Sequence, residues 1–398
     1  MPLAHDHEPD VTAVRDVMTA YAARTGLTVP GAEARRYLWT DAFAVCNFLE
    51  LFRQTAHQEF LAAARSLVDQ VHWTLGRYSS TDARRGWISG LEESAGTLHP
   101  TRKGLRIGKK LAERGPDEPM DQRLEWDRDG QYFHYLSKWM HALSQVSGIS
   151  GEERCYLWAL ELAKASHAGF VYTPVAGGQK RMHWKMSVDL SRPLVAAMGH
   201  HDPLDALVTF TELATVGRIH RWLTGDRDLE REIADCRAMC AGQNWATEDP
   251  LGTGSLLADA YRLSQLQVMA GPGVSGPLRV ASLLADGATG LAAFVRSGTL
   301  SQPAEYRLAF RELGLAIGLR AVTGLRGLLE RNPASFTGVE ELSGVLKALD
   351  EFGYLCGEIE TFWLDPSHQQ STTWSDHQDI NAVMLATCLA PDGFLLIQ

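Results

Sequence analysis

Positive charge is in short supply in this 398-residue chain: 38 Lys and Arg stand against 48 Asp and Glu, a formal net charge of −10. Nucleic-acid coats bind through clustered cations, so no nucleic-acid partner is expected. Long apolar runs are missing as well. No uncharged stretch approaches the roughly 20 residues that cross a bilayer, and the opening MPLAHDHEPD is acidic with no apolar centre. Neither a membrane partner nor a signal peptide is therefore expected. Cysteine is sparse: of residues 46, 155, 236, 240, 356 and 388, only Cys236 and Cys240 lie close, without the second pair of a zinc site. Buried, reduced thiols in a cytoplasmic protein are the expectation. Common chemical signatures are absent too. HExxH does not occur. Gly104-Leu-Arg-Ile-Gly108-Lys109-Lys110 has one residue too few between its glycines for a phosphate loop. Gly86-Trp-Ile-Ser-Gly90 places its serine wrongly for a nucleophile elbow. No metal and no cofactor are expected, and His200-His201-Asp202 reads as helix-start packing before it reads as a ligand set.

What is present is a globular composition, 45% hydrophobic and 22% charged, with 11 tryptophans, a residue used in large cores and wherever flat ligands stack. The stretch Asp121 to His141 stands out. Asp127 and Asp129 sit beside Trp126 and Arg128, and Gly130 leads into apolar or aromatic positions 132, 133, 135, 136, 139, 140 and 143. Spacings of three and four predict a helix, and so wide an apolar face predicts one buried on most sides. Acids and aromatics at its mouth predict a pocket wall.

The same periodicity predicts twelve helices, at about 10–24, 33–54, 57–75, 131–147, 151–170, 203–224, 227–241, 252–270, 276–297, 304–331, 338–363 and 376–390. One-sided helices alternate with helices apolar nearly all round, and almost no strand is expected. Pairing them in order gives six hairpins, with the even-numbered helices inside and the others outside. The expectation is an all-α, (α/α)6 toroid spanning 1–398 as one domain, with long insertions at 76–130 and 171–202. No strict repeat favours an open solenoid. The connections entering inner helices are mostly the long ones, so one face of the ring carries the cleft.

On that face the inner helix starts would bring together Trp39 and Asp41; Asp127, Asp129 and Tyr132; His200, His201, Asp202 and Asp205; Glu248 and Asp249; and Trp374, Asp376, His377, Asp379 and Asn381. The connections add Trp87, His183, Trp184, Lys185 and Asp189. Carboxylates facing across an aromatic pocket suit glycosidic-bond chemistry, one as acid and one as base or nucleophile. Tryptophan and tyrosine faces hold sugar rings. Helix starts also favour Asp for capping alone. The segment His99 to Arg114 carries six Lys or Arg, read either as a solvated basic loop or as a lid or anion site for a phosphate, sulfate or uronate group.

Arg36-Tyr-Leu-Trp-Thr-Asp-Ala-Phe43 resembles the LWD-x-GF opening of an inner helix in six-hairpin glycosidases. Trp126-Asp-Arg-Asp-Gly130 and Gly86-Trp-Ile-Ser-Gly-Leu91 resemble short motifs of that clan, including unsaturated uronyl hydrolases. Thr40 and Ala42 depart from the pattern, so no catalytic pair is carried over. The toroid is also similar to that of N-acylglucosamine 2-epimerase-like enzymes, a resemblance that implies facing histidines, with His183, His201 and His377 as the candidates. The first expectation is a metal-independent glycoside hydrolase acting on a small carbohydrate or glycoconjugate. Its acids would come from Asp41, Asp127, Asp129 and Asp202. A sugar epimerase using His201 and His377 is the second, and a non-catalytic toroid that binds a sugar or protein is the third.

Overall fold

A computed structural model describes residues 11–29, 31, 34–223, 227–276 and 278–398. Its main helices are α1 (Val11–Arg24), α2 (Leu38–Thr55), α3 (Gln58–Leu75), α4 (Glu93–Leu98), α5 (Gln122–Asp127), α6 (Phe133–Ser150) and α7 (Glu153–Phe170). They continue with α8 (Asp202–Ile219), α9 (Glu230–Cys240), α10 (Pro250–Ala270), α11 (Val280–Arg296), α12 (Ala309–Arg331), α13 (Val339–Leu349) and α14 (Tyr354–Leu364). The last are α15 (Thr372–Ser375), α16 (Gln378–Leu389) and α17 (Asp392–Leu395).

Burial sorts these helices into two circles. In α3 the buried residues are Phe60, Leu61, Ala64, Leu67, Val68, Val71, His72 and Leu75, one face of a 3.6-residue period. In α2 every residue from Leu38 to Leu51 is buried, and in α8 every residue from Asp202 to Gly217. Helices of the second kind form a closed ring, α2 on α6, α6 on α8, α8 on α10, α10 on α12, α12 on α16, and α16 back on α2. Outside it, α1 covers α16 and α2, α3 covers α2, α7 covers α6, α9 covers α8, α11 covers α10, and α13 and α14 cover α12. The (α/α)6 toroid expected from the periodicity is the fold. Where α10 and α12 cross, a Cβ on Gly254 would meet the Gly314 carbonyl oxygen at 2.1 Å. Only glycine lets the two backbones come so close.

Neighbouring inner helices touch start to start, which shows that they run in one direction. The Tyr37 and Tyr135 hydroxyls are 2.5 Å apart, His134 Nδ1 lies 3.5 Å from Asp202 Oδ1, and Arg311 reaches Asp249 at 2.5 Å. The Phe310 amide donates to Asn381 Oδ1 at 2.9 Å. The long connections 76–132 and 171–201 both lie on this face, joined by small strands. There β1 (Gln131–Tyr132) pairs with β4 (Lys185–Met186), β4 pairs with β5 (Pro193–Val195), and β2 (Val171–Tyr172) pairs with β3 (Arg181–Met182), all antiparallel.

Several boundaries differ from expectation. The helix expected over 338–363 is two, because the turn Asp350–Phe352 and Gly353 separate α13 from α14. The one expected from 33 begins at Leu38, where the Asp41 carboxylate takes the Tyr37 amide at 2.8 Å and Ile107 accepts from the Leu38 amide at 3.0 Å. The helix expected to reach 224 stops at Ile219, and residues 224–226, between it and the helix expected from 227, lie outside the described residues. The opposite end of the ring holds a feature the periodicity did not announce. The segment after α16 folds back as α17, and Phe394 stacks on Phe43 with centroids 4.3 Å apart. His141 Nε2 donates to the Phe394 carbonyl at 2.8 Å, and Gln265 donates to the Leu395 carbonyl at 2.8 Å. The final residues therefore close that end. No described helix is long and apolar enough to cross a membrane.

Candidate active site at the mouth of the ring

The start of α6 carries the densest wall. Tyr132, its N-cap, stands 5.1 Å from Trp184 and 5.2 Å from Tyr135 between ring centroids, and Trp126 lies 4.8 Å from Trp184. His134 packs between Tyr132 at 5.3 Å and Tyr135 at 4.9 Å. Tyr37, at the start of α2, extends the wall through its hydroxyl bond to Tyr135. The pairing of β1 with β4 is what brings Trp184 onto Tyr132 from the second long connection. Burial pushes the Tyr37 phenol up to about 12 and the Tyr132 and Tyr135 phenols higher still, so all three remain neutral hydrogen-bonding groups. Trp126 is 51% exposed and presents a free aromatic face.

Beside this wall His134 and Asp202 form a titratable pair. The His134 side chain is 31% exposed and that of Asp202 only 6%. Asp202 Oδ2 has no partner among the described residues. A buried carboxylate oxygen left in that state is costly, and such groups concentrate where a ligand or a proton completes them.

Beneath the mouth the ring axis is closed. Lys138 meets Asp205 at 2.5 Å, and Ser137 donates to the same carboxylate at 2.6 Å. Arg262 joins Asp259 at 3.2 Å and Glu212 at 2.5 Å, and His141 reaches Glu212 at 2.9 Å. Burial and the nearby Asp205 charge raise Asp259 to about 6. Burial also works against the charge of Glu212, but His141 and Arg262 outweigh it and hold Glu212 at about 2. The cavity bordered by Phe43, Lys138, Ser255, Asp259, Ile317 and Met384 measures about 20 Å³. That is the scale of one water, far too small for a sugar ring.

The residues named from sequence separate into those at the wall and those committed elsewhere. Trp126, Tyr132 and Asp202 meet at the wall, and Asp127 stands exposed next to Trp126. Asp41 is buried and takes hydrogen bonds from Tyr21, from Arg36 at 3.3 Å and from the Tyr37 amide at 2.8 Å; burial raises its pKa. Asp129 is held by Arg106 and by the amides of Gly108 at 3.1 Å and Gly130 at 3.0 Å. Lys185 is buried and donates to the carbonyls of Glu125 at 2.6 Å and Arg128 at 2.8 Å. These three fasten loops and helix starts.

Trp39 packs on Phe43 at 4.4 Å, Trp87 on Trp73 at 6.1 Å, and Trp374 on Trp363 at 5.7 Å. His183 stacks on Tyr172 at 4.1 Å, and burial lowers its pKa. His201 donates from Nε2 to the Trp245 carbonyl at 2.8 Å, and burial lowers its pKa too. His377 is exposed, 5.5 Å from the Phe310 ring, and Asp379 bonds Arg24 at 3.0 Å. His201 and His377 are thus engaged with different neighbours. Among the described residues no group of three or more His, Cys, Asp and Glu is placed to hold a metal ion. Tyr37, His134 and Tyr135 were not singled out from sequence, although all three lie in stretches whose residues were.

An (α/α)6 toroid with a closed axis and an aromatic, histidine- and acid-bearing mouth is the class that fold and geometry define. No family model matches the chain, and no curated protein matches it. Among solved structures, an inactive variant of an α-1,6-mannanase from Salegentibacter sp. HEL1_6, in complex with α-1,6-mannotetrose, is similar with a TM-score of 0.53 and 11% identity. That likeness covers 96% of this chain and 99% of that one. The same mannanase in its own structure has a TM-score of 0.50 at 11% identity, with the same 96% and 99% covered. A cellobiose 2-epimerase from Spirochaeta thermophila DSM 6192 is similar with a TM-score of 0.47 and 12% identity, covering 94% of this chain and 97% of that one. The mannanase likeness shows the toroid fold.

Proposed function

We propose that this protein is a carbohydrate-active enzyme that stacks a sugar on the wall of Trp126, Tyr132 and Trp184 and moves a proton through His134 and Asp202. The observation that carries this reading is the His134–Asp202 pair, 3.5 Å apart, set against the rings of Tyr132 and Tyr135. A half-exposed Trp126 offers a flat apolar face to the C–H side of a pyranose. Asp202, facing Nδ1, favours the tautomer with its proton there, leaving Nε2 as the base. The separation is longer than a good hydrogen bond and is of the kind that tightens around a bound ligand. One histidine oriented by one acid suits removal of a proton from one sugar carbon and its return to the neighbouring carbon, as in aldose–ketose isomerisation. The mannanase of the same fold in complex with mannotetrose supports a sugar ligand by fold-level analogy.

Glycoside hydrolysis is the second reading, favoured by the exposed Asp127 beside Trp126, which with Asp202 would supply two carboxylates. Asp41 and Asp129 are left out of that pair because Arg36 and Arg106 hold them. Incubation with a panel of free sugars in D2O, followed by NMR, should show solvent deuterium entering a carbon-bound position. Reducing ends released from a glycan panel, without exchange into free sugars, would replace proton shuttling by hydrolysis. Sugar binding with neither reaction would leave a binding toroid.

A further inference from the structure

Five of the six cations between His99 and Arg114 are accounted for. Arg106 is buried against Asp129 and donates to the carbonyls of Arg77 at 2.7 Å and Thr74 at 2.9 Å. Arg114 bonds Glu125 at 3.0 Å and the Leu194 carbonyl at 2.8 Å, so two cations of this segment are internal fasteners and not a solvated surface. Arg102 lies 3.9 Å from Glu161 at the surface, where Lys103 and Lys110 are also exposed. Lys109 is different. It is partly buried, its ammonium sits 5.4 Å from the centroid of the Tyr37 ring, and it makes no hydrogen bond or ion pair among the described residues.

Its backbone is held where it is. Gly108 has φ +96°, and a Cβ there would meet the Arg36 carbonyl oxygen at 2.3 Å. The preceding Ile107 donates to the Gly130 carbonyl at 2.9 Å and accepts from the Leu38 amide at 3.0 Å. Lys109 is therefore clamped between the starts of α2 and α6, at one end of the aromatic wall. Burial lowers its pKa, while Asp127 and then Asp129 act in the other direction. Asp129 is already matched by Arg106. A half-buried ammonium with no hydrogen bond or ion pair among the described residues loses hydration and gains a longer-range attraction to Asp127 and a weak one to the tyrosine face. A ligand anion supplies the missing charge-assisted hydrogen bonds.

We infer that the sugar accepted at this mouth carries a negative group, a carboxylate or a phosphate, and that Lys109 is its counter-ion. The inference rests on the reading of the aromatic wall as a sugar site. Calorimetric titration of the full chain with glucose, glucuronate and glucose 6-phosphate, and with the matching mannose series, tests it. In at least one series an anionic member should bind at least about tenfold tighter than its neutral parent, with affinity falling as salt rises. Lys109→Met should remove that difference and Lys109→Arg should restore it in part. The anion preferred, carboxylate or phosphate, identifies the source of the charge. Neutral members binding as tightly as anionic ones, or a preference that survives Lys109→Met, would overturn the role of Lys109 and leave the sugar site standing. If no member binds, the sugar site falls and this inference with it. Should Lys109→Met fail to fold, Lys109→Gln and the salt dependence of the native chain decide the matter.

Discussion

Asp202 holds one carboxylate oxygen 3.5 Å from His134 and leaves the other without a partner among the described residues, at 4% exposure. Substitution to Asn keeps the shape and removes a desolvated charge. Asp202→Asn should therefore retain or raise the melting temperature while turnover falls about a hundredfold or more, the scale of losing a proton-transfer group. Full turnover in a folded Asp202→Asn protein would take the residue out of the site. His72 makes a contrasting case. It is buried, accepts from Trp139 Nε1 at 3.1 Å, and burial lowers its pKa to about 3. Between the unfolded value near 6.5 and that folded value, the unfolded chain binds the extra proton. Stability should thus be fully present above about pH 6.5 and fall as pH drops toward 3, by on the order of 4–5 kcal/mol for this group. Urea titrations at stepped pH check the slope. A His72→Gln protein with the same slope through that window would assign the loss to other groups.

At the scale of elements, glycines in two helices predict opposite outcomes. Gly254→Ala places a Cβ 2.1 Å from the Gly314 carbonyl oxygen, so α10 and α12 must separate. Helix propensity favours Ala by about 1 kcal/mol, but forcing packed backbones apart costs about 1–3 kcal/mol or more, so the variant should be destabilised. Gly357→Ala on α14 meets no atom of the described residues within 4 Å and should be stabilised by about 0.5–1 kcal/mol. Denaturant midpoints for the two variants should move in opposite directions, and a shared direction would refute the packing account.

The elements also show what could be read in advance. The one-sided pattern of α3 and the all-round burial of α2 and α8 follow from local spacing, and that contrast was enough for the ring. The true start of α2 was hidden because it is fixed by Ile107, far away in the chain. The same holds for the mouth. Trp126 and Tyr132 declare themselves by residue type, whereas the commitment of Asp129 to Arg106 and the pairing of His134 with Asp202 exist only after the long connections and helices are assembled. An acid at a helix start looks alike in both circumstances.

Across the whole molecule, α17 and the residues after it unite the far end of the ring. Removing residues after Pro391 would strip His141, Gln145 and Gln265 of buried carbonyl partners and Phe43 of its stacked Phe394. Each orphaned buried group costs about 1–3 kcal/mol, so the truncated chain should unfold at markedly lower denaturant. An unchanged midpoint would show that the tail is a bystander.

Because this tail shuts one end and the Lys138–Asp205 and Arg262–Glu212 pairs fill the middle, the toroid is a cup and not a tube. A polymer cannot thread through a cup. Whatever reaches the wall of Trp126 and Tyr132 must come in and leave by one rim, so a long chain could be engaged from its end or across the lip, but never fed through from behind. On the proposed reading, the product would have to vacate the same opening that the next molecule needs, which couples release to capture at a single doorway.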